Sequence, residues 1–357
     1  MTMPSRCIAL DARDAMQPRA SHSTDLIQAF RPLPCLTHPY LQTIVAAKLT
    51  WSREPPSTTH LVALSDGDTI AMEVSTPRGW QPHDPTAVLL HGLCGSHRSP
   101  YMQRLARKLW RSGLRAIRMN LRGCGSGRGL ARYPYHSGRS ADMLAVLESL
   151  LQTTPQSPVT LIGFSLGGNI VLKLAGELAA AVPDNLQRVI AVCPPADLVA
   201  CSRLLQQPTN RFYNRYFARL LCAEAIDRHS RFPDLPRVEL PAELSIYAFD
   251  ESYTAPQCGF QGALDYYRQC SAAPLVPHLT IPGHILFAAD DPLIDAHVFD
   301  GVALPPYVQV IRTRYGGHLG FLGRPGGAGG YHAMDAQLLA WITAPAVPHG
   351  VQGSHSA

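Results

Sequence analysis

Short apolar runs alternate with longer stretches in which apolar residues recur at helical spacing along most of the chain. Ala87-Val88-Leu89-Leu90 is an apolar run of the kind that forms a buried parallel strand. After it, Met102, Leu105, Ala106, Leu109 and Trp110 fall on one helical face, and Gly113 closes that helix. The same reading predicts strands over 115–120, 159–162, 188–192, 284–288 and 308–313. It predicts further helices over 140–151, 169–181 and 332–342. The helix over 169–181 is apolar nearly all round, which implies burial against a sheet.

Alternating strands and helices imply an α/β fold, a mostly parallel sheet with helices on both faces. The alternation breaks between Ala196 and Thr280, where the pattern turns helical, aromatic and proline-rich. That stretch is expected to be a helical cap inserted over the C-terminal edge of the sheet, where sites of such folds lie. Residues 31–344 then form one domain with a cap insertion at about 196–280. Residues 1–30 and 345–357 are expected to be flexible ends, and no internal repeat is present.

Composition narrows the class. Of the 357 residues, 46% are hydrophobic and 16% charged, which supplies a large core and argues against global disorder. The net charge of +5 is too small a surplus for a nucleic-acid-binding surface. Nine cysteines, without a Cys-x-x-Cys pair, fit a reducing compartment rather than a disulfide framework or a zinc site. The first thirty residues carry Asp11, Arg13, Asp14, Arg19 and Asp25 and no signal-peptide core, and no apolar run is long enough to cross a membrane. A cytoplasmic protein is the expectation.

The chemistry is carried by Gly163-Phe164-Ser165-Leu166-Gly167, a Gly-x-Ser-x-Gly sequence between a predicted strand and a predicted helix. Glycines two before and two after the serine let strand and helix pass in a tight turn that lifts the hydroxyl to the sheet edge. A serine hydroxyl needs a base to attack at neutral pH. With a nucleophile elbow of this kind, the acid and then the histidine follow in chain order. Asp291, in Ala289-Asp290-Asp291-Pro292 past one strand, and His318, in Gly316-Gly317-His318-Leu319-Gly320 past the next, meet that order. Asp291 lies three residues after Ala288, so it is expected to orient His318, while Asp290 faces away and binds backbone amides of its own turn. The amides of Leu93, in His91-Gly92-Leu93, and of Leu166 are the expected oxyanion donors.

Other features weigh less. Gly123-Cys124-Gly125-Ser126-Gly127-Arg128-Gly129 mimics a phosphate-cradling loop, but no helix opens after it, so it reads as a flexible loop beside the site. No metal-ligand spacing and no cofactor motif is present, and Cys94 and Cys124 read as small buried filler. Arg211, Arg215 and Arg219 share one helix face, which reads as a solvated face with contact to an anionic headgroup or membrane surface as the alternative. Phe212, Tyr216 and Phe217 are expected to line an apolar acyl pocket under the cap.

Several strings resemble the YheT-like family of α/β hydrolases, over a span from about Phe30 to Ile342. They include His38-Pro39-Tyr40-Leu41-Gln42-Thr43, His91-Gly92-Leu93 with Ser99-Pro100-Tyr101, Asn120-Leu121-Arg122-Gly123 and Tyr135-His136-Ser137-Gly138. Further along come Gly163 to Asn169, Phe249-Asp250-Glu251, Tyr253-Thr254-Ala255-Pro256, and the segments around Asp291 and His318. The resemblance implies the α/β-hydrolase fold and carboxylester hydrolysis on short-to-medium acyl or glycerolipid-like substrates, with Ser165, Asp291 and His318 as the triad. The resemblance implies an N-terminal membrane anchor for the eukaryotic members, and none is expected in this chain. An acyltransferase using the same triad and a non-catalytic ligand-binding member are the rival readings.

Overall fold

The computed structural model describes residues 27, 30–48, 53–236, 239–326 and 330–345. The expected flexible ends lie outside the described residues, apart from Ile27, Phe30 and Pro345. Eight strands form the main sheet: β1 (Thr58–Ala63), β2 (Thr69–Ser75), β3 (Thr86–Leu90), β4 (Arg115–Met119), β5 (Val159–Phe164), β6 (Leu186–Val192), β7 (Gly283–Ala288) and β8 (Val308–Thr313). Their order is β1-β2-β4-β3-β5-β6-β7-β8. All neighbouring pairs from β4 to β8 are parallel, and β1 and β2 join antiparallel at one edge.

Alternation along the central strands explains the layers. In β3, Val88 and Leu90 join one core with Met143 and Ile170, while Ala87 and Leu89 join the other with Met102 and Trp341. Helices α3 (Ser140–Thr153) and α4 (Leu166–Leu178) therefore cover one face. Helices α2 (Pro100–Arg111) and α8 (Ala333–Thr343) cover the other. A short helix, α1 (Pro39–Lys48), precedes the sheet, and a two-stranded ribbon, β9 (Leu322–Gly326) with β10 (Gly330–His332), leads into α8. The expected parallel sheet with helices on both faces is the observed fold.

Between β6 and β7 the chain is helical: α5 (Leu198–Leu205), α6 (Arg211–Arg231), a short helix Ile246–Phe249, a π-helical turn Asp250–Thr254, and α7 (Ala263–Cys270). The last piece, a 3-10 helix over Ala273–His278, packs on α4, where a Cβ on Gly176 would stand 2.5 Å from the Leu275 carbonyl oxygen. Among the described residues no helix is long and apolar enough to cross a membrane.

Buried charge ties the loops beside β4 together. The Arg122 guanidinium donates to Asp66 (2.6 Å) and Asp68 (2.7 Å) from the β1–β2 turn, and bidentately to Asp142 of α3 (2.7 and 2.6 Å). Asp68 in turn accepts the Arg132 and Tyr133 amides. The glycine-rich loop is consequently anchored rather than loose: it holds a 3-10 turn over Gly125–Gly127, with the Ser126 hydroxyl accepting from Asn120. Removing one partner of a buried network leaves the other charges uncompensated, at a cost of about 3–5 kcal/mol. Arg122→Leu is therefore expected to lower the urea midpoint strongly, whereas Arg128→Ala, at an exposed ion pair with Asp227, should leave it near wild type. Equal midpoints for the two variants would refute the anchoring role of Arg122.

Candidate active site

β5 ends at Phe164, and α4 begins at Leu166, so Ser165 alone makes the turn. It does so at φ +51°, a left-handed conformation that costs a non-glycine residue on the order of 1–3 kcal/mol. The flanking glycines are required by space. A Cβ at Gly163 would stand 2.2 Å from the Gly167 carbonyl oxygen, and one at Gly167 would stand 2.5 Å from that of Leu90. The Ser165 amide donates to the Val192 carbonyl (2.8 Å), fixing the turn to the next strand.

The structure brings Ser165, His318 and Asp291 into one hydrogen-bonded line. His318 Nε2 lies 3.0 Å from Ser165 Oγ, and His318 Nδ1 lies 2.8 Å from Asp291 Oδ2. The network assigns the tautomer: Nδ1–H donates to the carboxylate, and Nε2 accepts from the hydroxyl. The other Asp291 oxygen accepts the Leu293 and Ile294 amides, at 2.8 and 3.2 Å. The Asp291 side chain is fully buried, and that of His318 is 10% exposed, so the ring can be reached while its partner stays dry.

Asp290 makes no bond to the His318 ring. Its own backbone amide binds the carboxylate, as expected for its turn, and its Oδ1 also accepts the Gly317 amide of the histidine loop, at 2.9 Å. Burial raises the Asp290 pKa above the ordinary carboxyl value, with the Asp291 charge adding to that effect.

Sequence reasoning assigned no role to α1, yet it holds the histidine loop. Thr43 Oγ1 donates to the Pro39 carbonyl (2.9 Å) and accepts the His318 amide (2.9 Å). Buried Gln42 donates to the Leu36 and Leu322 carbonyls and accepts the Leu322 amide. The signal was present in the string His38 to Thr43, which carries polar residues inside a short helix.

The loop after β3 stands directly over the serine. A Cβ at Gly92 would lie 3.0 Å from Ser165 Cβ, so glycine permits the approach. Buried His91 accepts the Leu121 amide at Nε2 and contacts the Gly92 carbonyl through Nδ1, and burial drives its pKa down to about 4. It is thus a neutral fixing post. The Gly92 amide donates to the Tyr101 hydroxyl (3.0 Å) and the Cys94 amide to the Tyr135 hydroxyl (3.1 Å). Among the described residues the amides of Leu93 and Leu166 have no acceptor. Both residues line the cavity that contains Ser165.

Two cavities meet at Ser165, Leu93, Phe217 and His318. The inner one, about 120 Å³, is walled by Leu166, Leu221, Ile246 and Phe249. The outer one, about 450 Å³, runs between α1 and α6 past Ile44 and Tyr101. Phe217 lines both, and Phe212 and Tyr216 line the outer one with it, so the three expected aromatics share a cavity with Ser165 and His318. Phe212 and Tyr216 are 70% and 45% exposed and rim that cavity. The reason is helical phase: residues of α6 lie about 100° apart, so the face bearing Tyr213, Phe217 and Leu221 turns the neighbouring aromatics outward. Arg211, Arg215 and Arg219 are exposed and form no ion pair among the described residues.

Donor atoms of Cys193, Asp291 and His318 lie within 4.8 Å of one another, the described group with spacing for a metal ion. Asp291 and His318 already spend those atoms on each other, and burial raises the Cys193 thiol pKa well above its ordinary value. Cys94 is half-buried beside Tyr135 and Cys124 is buried.

Residues 85–325 match the family model of the alpha/beta hydrolase fold. The chain is 34% identical to the protein YheT of Escherichia coli (strain K12) over 264 residues, covering 73% of this chain and 77% of that one. It is 27% identical to the human phospholipase ABHD3 over 263 residues, covering 72% of this chain and 62% of that protein. The crystal structure of a 2,6-dihydroxy-pseudo-oxynicotine hydrolase superposes with a TM-score of 0.55 at 16% identity, covering 85% of this chain and 70% of that one, a likeness of fold alone. The chain belongs to the α/β-hydrolase fold family and, within it, to the YheT-like enzymes.

Proposed function

We propose that the chain is a serine hydrolase that cleaves carboxylic esters through an acyl-enzyme, with Ser165, His318 and Asp291 as its catalytic triad. The observation that carries this reading is the unbroken line Ser165–His318–Asp291 at 3.0 and 2.8 Å. As Ser165 Oγ bonds to the ester carbonyl carbon, its proton passes to His318 Nε2. The carbonyl electron pair moves onto oxygen, which the Leu93 and Leu166 amides receive. Their lack of any acceptor among the described residues supports that role. Collapse of this intermediate breaks the bond to the alcohol oxygen, which takes the proton from His318. Water then attacks the acyl-enzyme by the same steps and releases the acid.

The paired cavities suit an ester held at its centre, with one arm under α5 to α7 and the other between α1 and α6. In this reading those helices act as a cap, and the apolar walls select short-to-medium acyl or glycerolipid-like substrates.

Two measurements test the assignment. On p-nitrophenyl esters from acetate to palmitate, Ser165→Ala should lose on the order of 10⁶-fold in turnover while keeping its fold; substantial activity in a folded variant would remove Ser165 from the mechanism. Asp291→Asn should lose about 10⁴-fold by presenting the wrong histidine tautomer. Asp290→Asn should act mainly on stability, by about 1 kcal/mol, since the amide it holds belongs to the loop and not the ring. A dead Asp290→Asn beside an active Asp291→Asn would reverse the two roles.

A further inference from the structure

The inner cavity is largely apolar, but its lining includes two charged residues of α6 that do not use each other. Glu224 and Arg228 stand at i and i+4, the spacing at which a carboxylate and a guanidinium pair across one helical turn. Among the described residues neither forms an ion pair within 4.0 Å. Arg228, 8% exposed, donates instead to the Tyr253 hydroxyl at 2.6 Å. Glu224 takes one bond, from the Tyr135 hydroxyl, at 2.9 Å through Oε2. Oε1 of Glu224 and the Nε and Nη2 groups of Arg228 have no partner among the described residues, although both side chains line the cavity. Charges of opposite sign held apart on one face, Arg228 buried and Glu224 half-buried, leave a donor and an acceptor unspent.

The neighbouring polar groups differ. Asp250 in the π-helical turn has both oxygens occupied, by Thr254 (2.6 Å) and Tyr267 (2.7 Å). His229 shares the Tyr253 hydroxyl at 3.2 Å, and burial, with the Arg228 charge, lowers its pKa. The free capacity is therefore concentrated between Glu224 and Arg228.

We propose that the gap between Glu224 and Arg228 is a specificity subsite for a hydroxyl group on the substrate arm that enters the inner cavity. A hydroxyl accepts from Arg228 and donates to Glu224, completing both residues without adding charge. A carboxylate there would meet Glu224 and Asp250, and an ammonium would meet Arg228. An alkyl end would make neither hydrogen bond, a loss that discriminates more sharply than one missing methylene. Burial raises the Glu224 pKa to about 6, opposed by Tyr135 and Arg228, so the carboxylate is available as an acceptor at neutral pH. The site is also wired to the loop over Ser165, because the Tyr135 hydroxyl that donates to Glu224 accepts the Cys94 amide next to Leu93.

The inference rests on the ester-hydrolase reading for its substrate but is tested separately from it. Two ester series are compared with their hydroxyl-free counterparts: p-nitrophenyl esters of terminally hydroxylated acids from butanoate to dodecanoate, and monoesters of straight-chain diols. The first places the hydroxyl on the acyl arm and the second on the alcohol arm. In one series and at a favoured length, kcat/KM should rise roughly tenfold or more over the plain ester, the scale of hydrogen bonds to charged groups. Glu224→Leu with Arg228→Met should abolish or reverse that ratio, and the size-conserving Glu224→Gln should reduce it. Calorimetric binding of the same pairs to Ser165→Ala protein reads the ratio without turnover. Ratios near one in both series, for turnover and for binding, would overturn the subsite whether or not the esters are cleaved. A preference that survives in the double variant would overturn it equally.

Discussion

Ser165 occupies a backbone conformation that its own side chain disfavours, at φ +51°, and much of the molecule acts to hold it there. The parallel β5 fixes the residue before it, α4 fixes the residue after it, and the Val192 carbonyl takes its amide. Gly163, Gly167 and Gly92 clear the space that a side chain would fill. The strain is sustained because the sheet over-determines the turn, and it leaves the hydroxyl exposed above the strand ends. That position is also where the strand order reverses direction, between β3 and β5, so the loop carrying Leu93 arrives beside it.

The second constraint is the placement of His318. Its loop is long and rich in left-handed residues, with positive φ at Gly317, Leu319 and Phe321. Such a segment does not fix its own position. Asp291 holds the ring, Asp290 holds the Gly317 amide and Thr43 of α1 holds the His318 amide. Three separate pieces of chain thus converge on one imidazole. This division of labour explains why adjacent aspartates follow β7 without being equivalent.

The parallel core was legible because its strands are buried on both faces, so Ala87 to Leu90 and Val159 to Ile162 stand out as apolar runs. The elbow was legible because tight packing leaves glycine at fixed offsets from Ser165. β1 went unread for the opposite reason: as an edge strand it buries only Val62, and Thr58-Thr59-His60 reads as surface. The role of Thr43 was hidden because its partner is a backbone amide far along the chain, a contact with no local pattern. The aromatic residues Phe212, Tyr216 and Phe217 were legible as cavity lining, but composition does not show that only Phe217 reaches both cavities. The separation of Glu224 from Arg228 was beyond sequence altogether, since i, i+4 spacing predicts that they pair.

In the proposed mechanism the His318–Asp291 pair makes Ser165 a nucleophile. Reaction with a fluorophosphonate, followed by intact mass and peptide mapping, tests this directly, because only an activated serine is phosphonylated quickly. A single adduct is expected on the peptide containing Ser165, absent in Ser165→Ala and formed far more slowly in His318→Ala. An adduct on another residue, or an unchanged rate in His318→Ala, would contradict it.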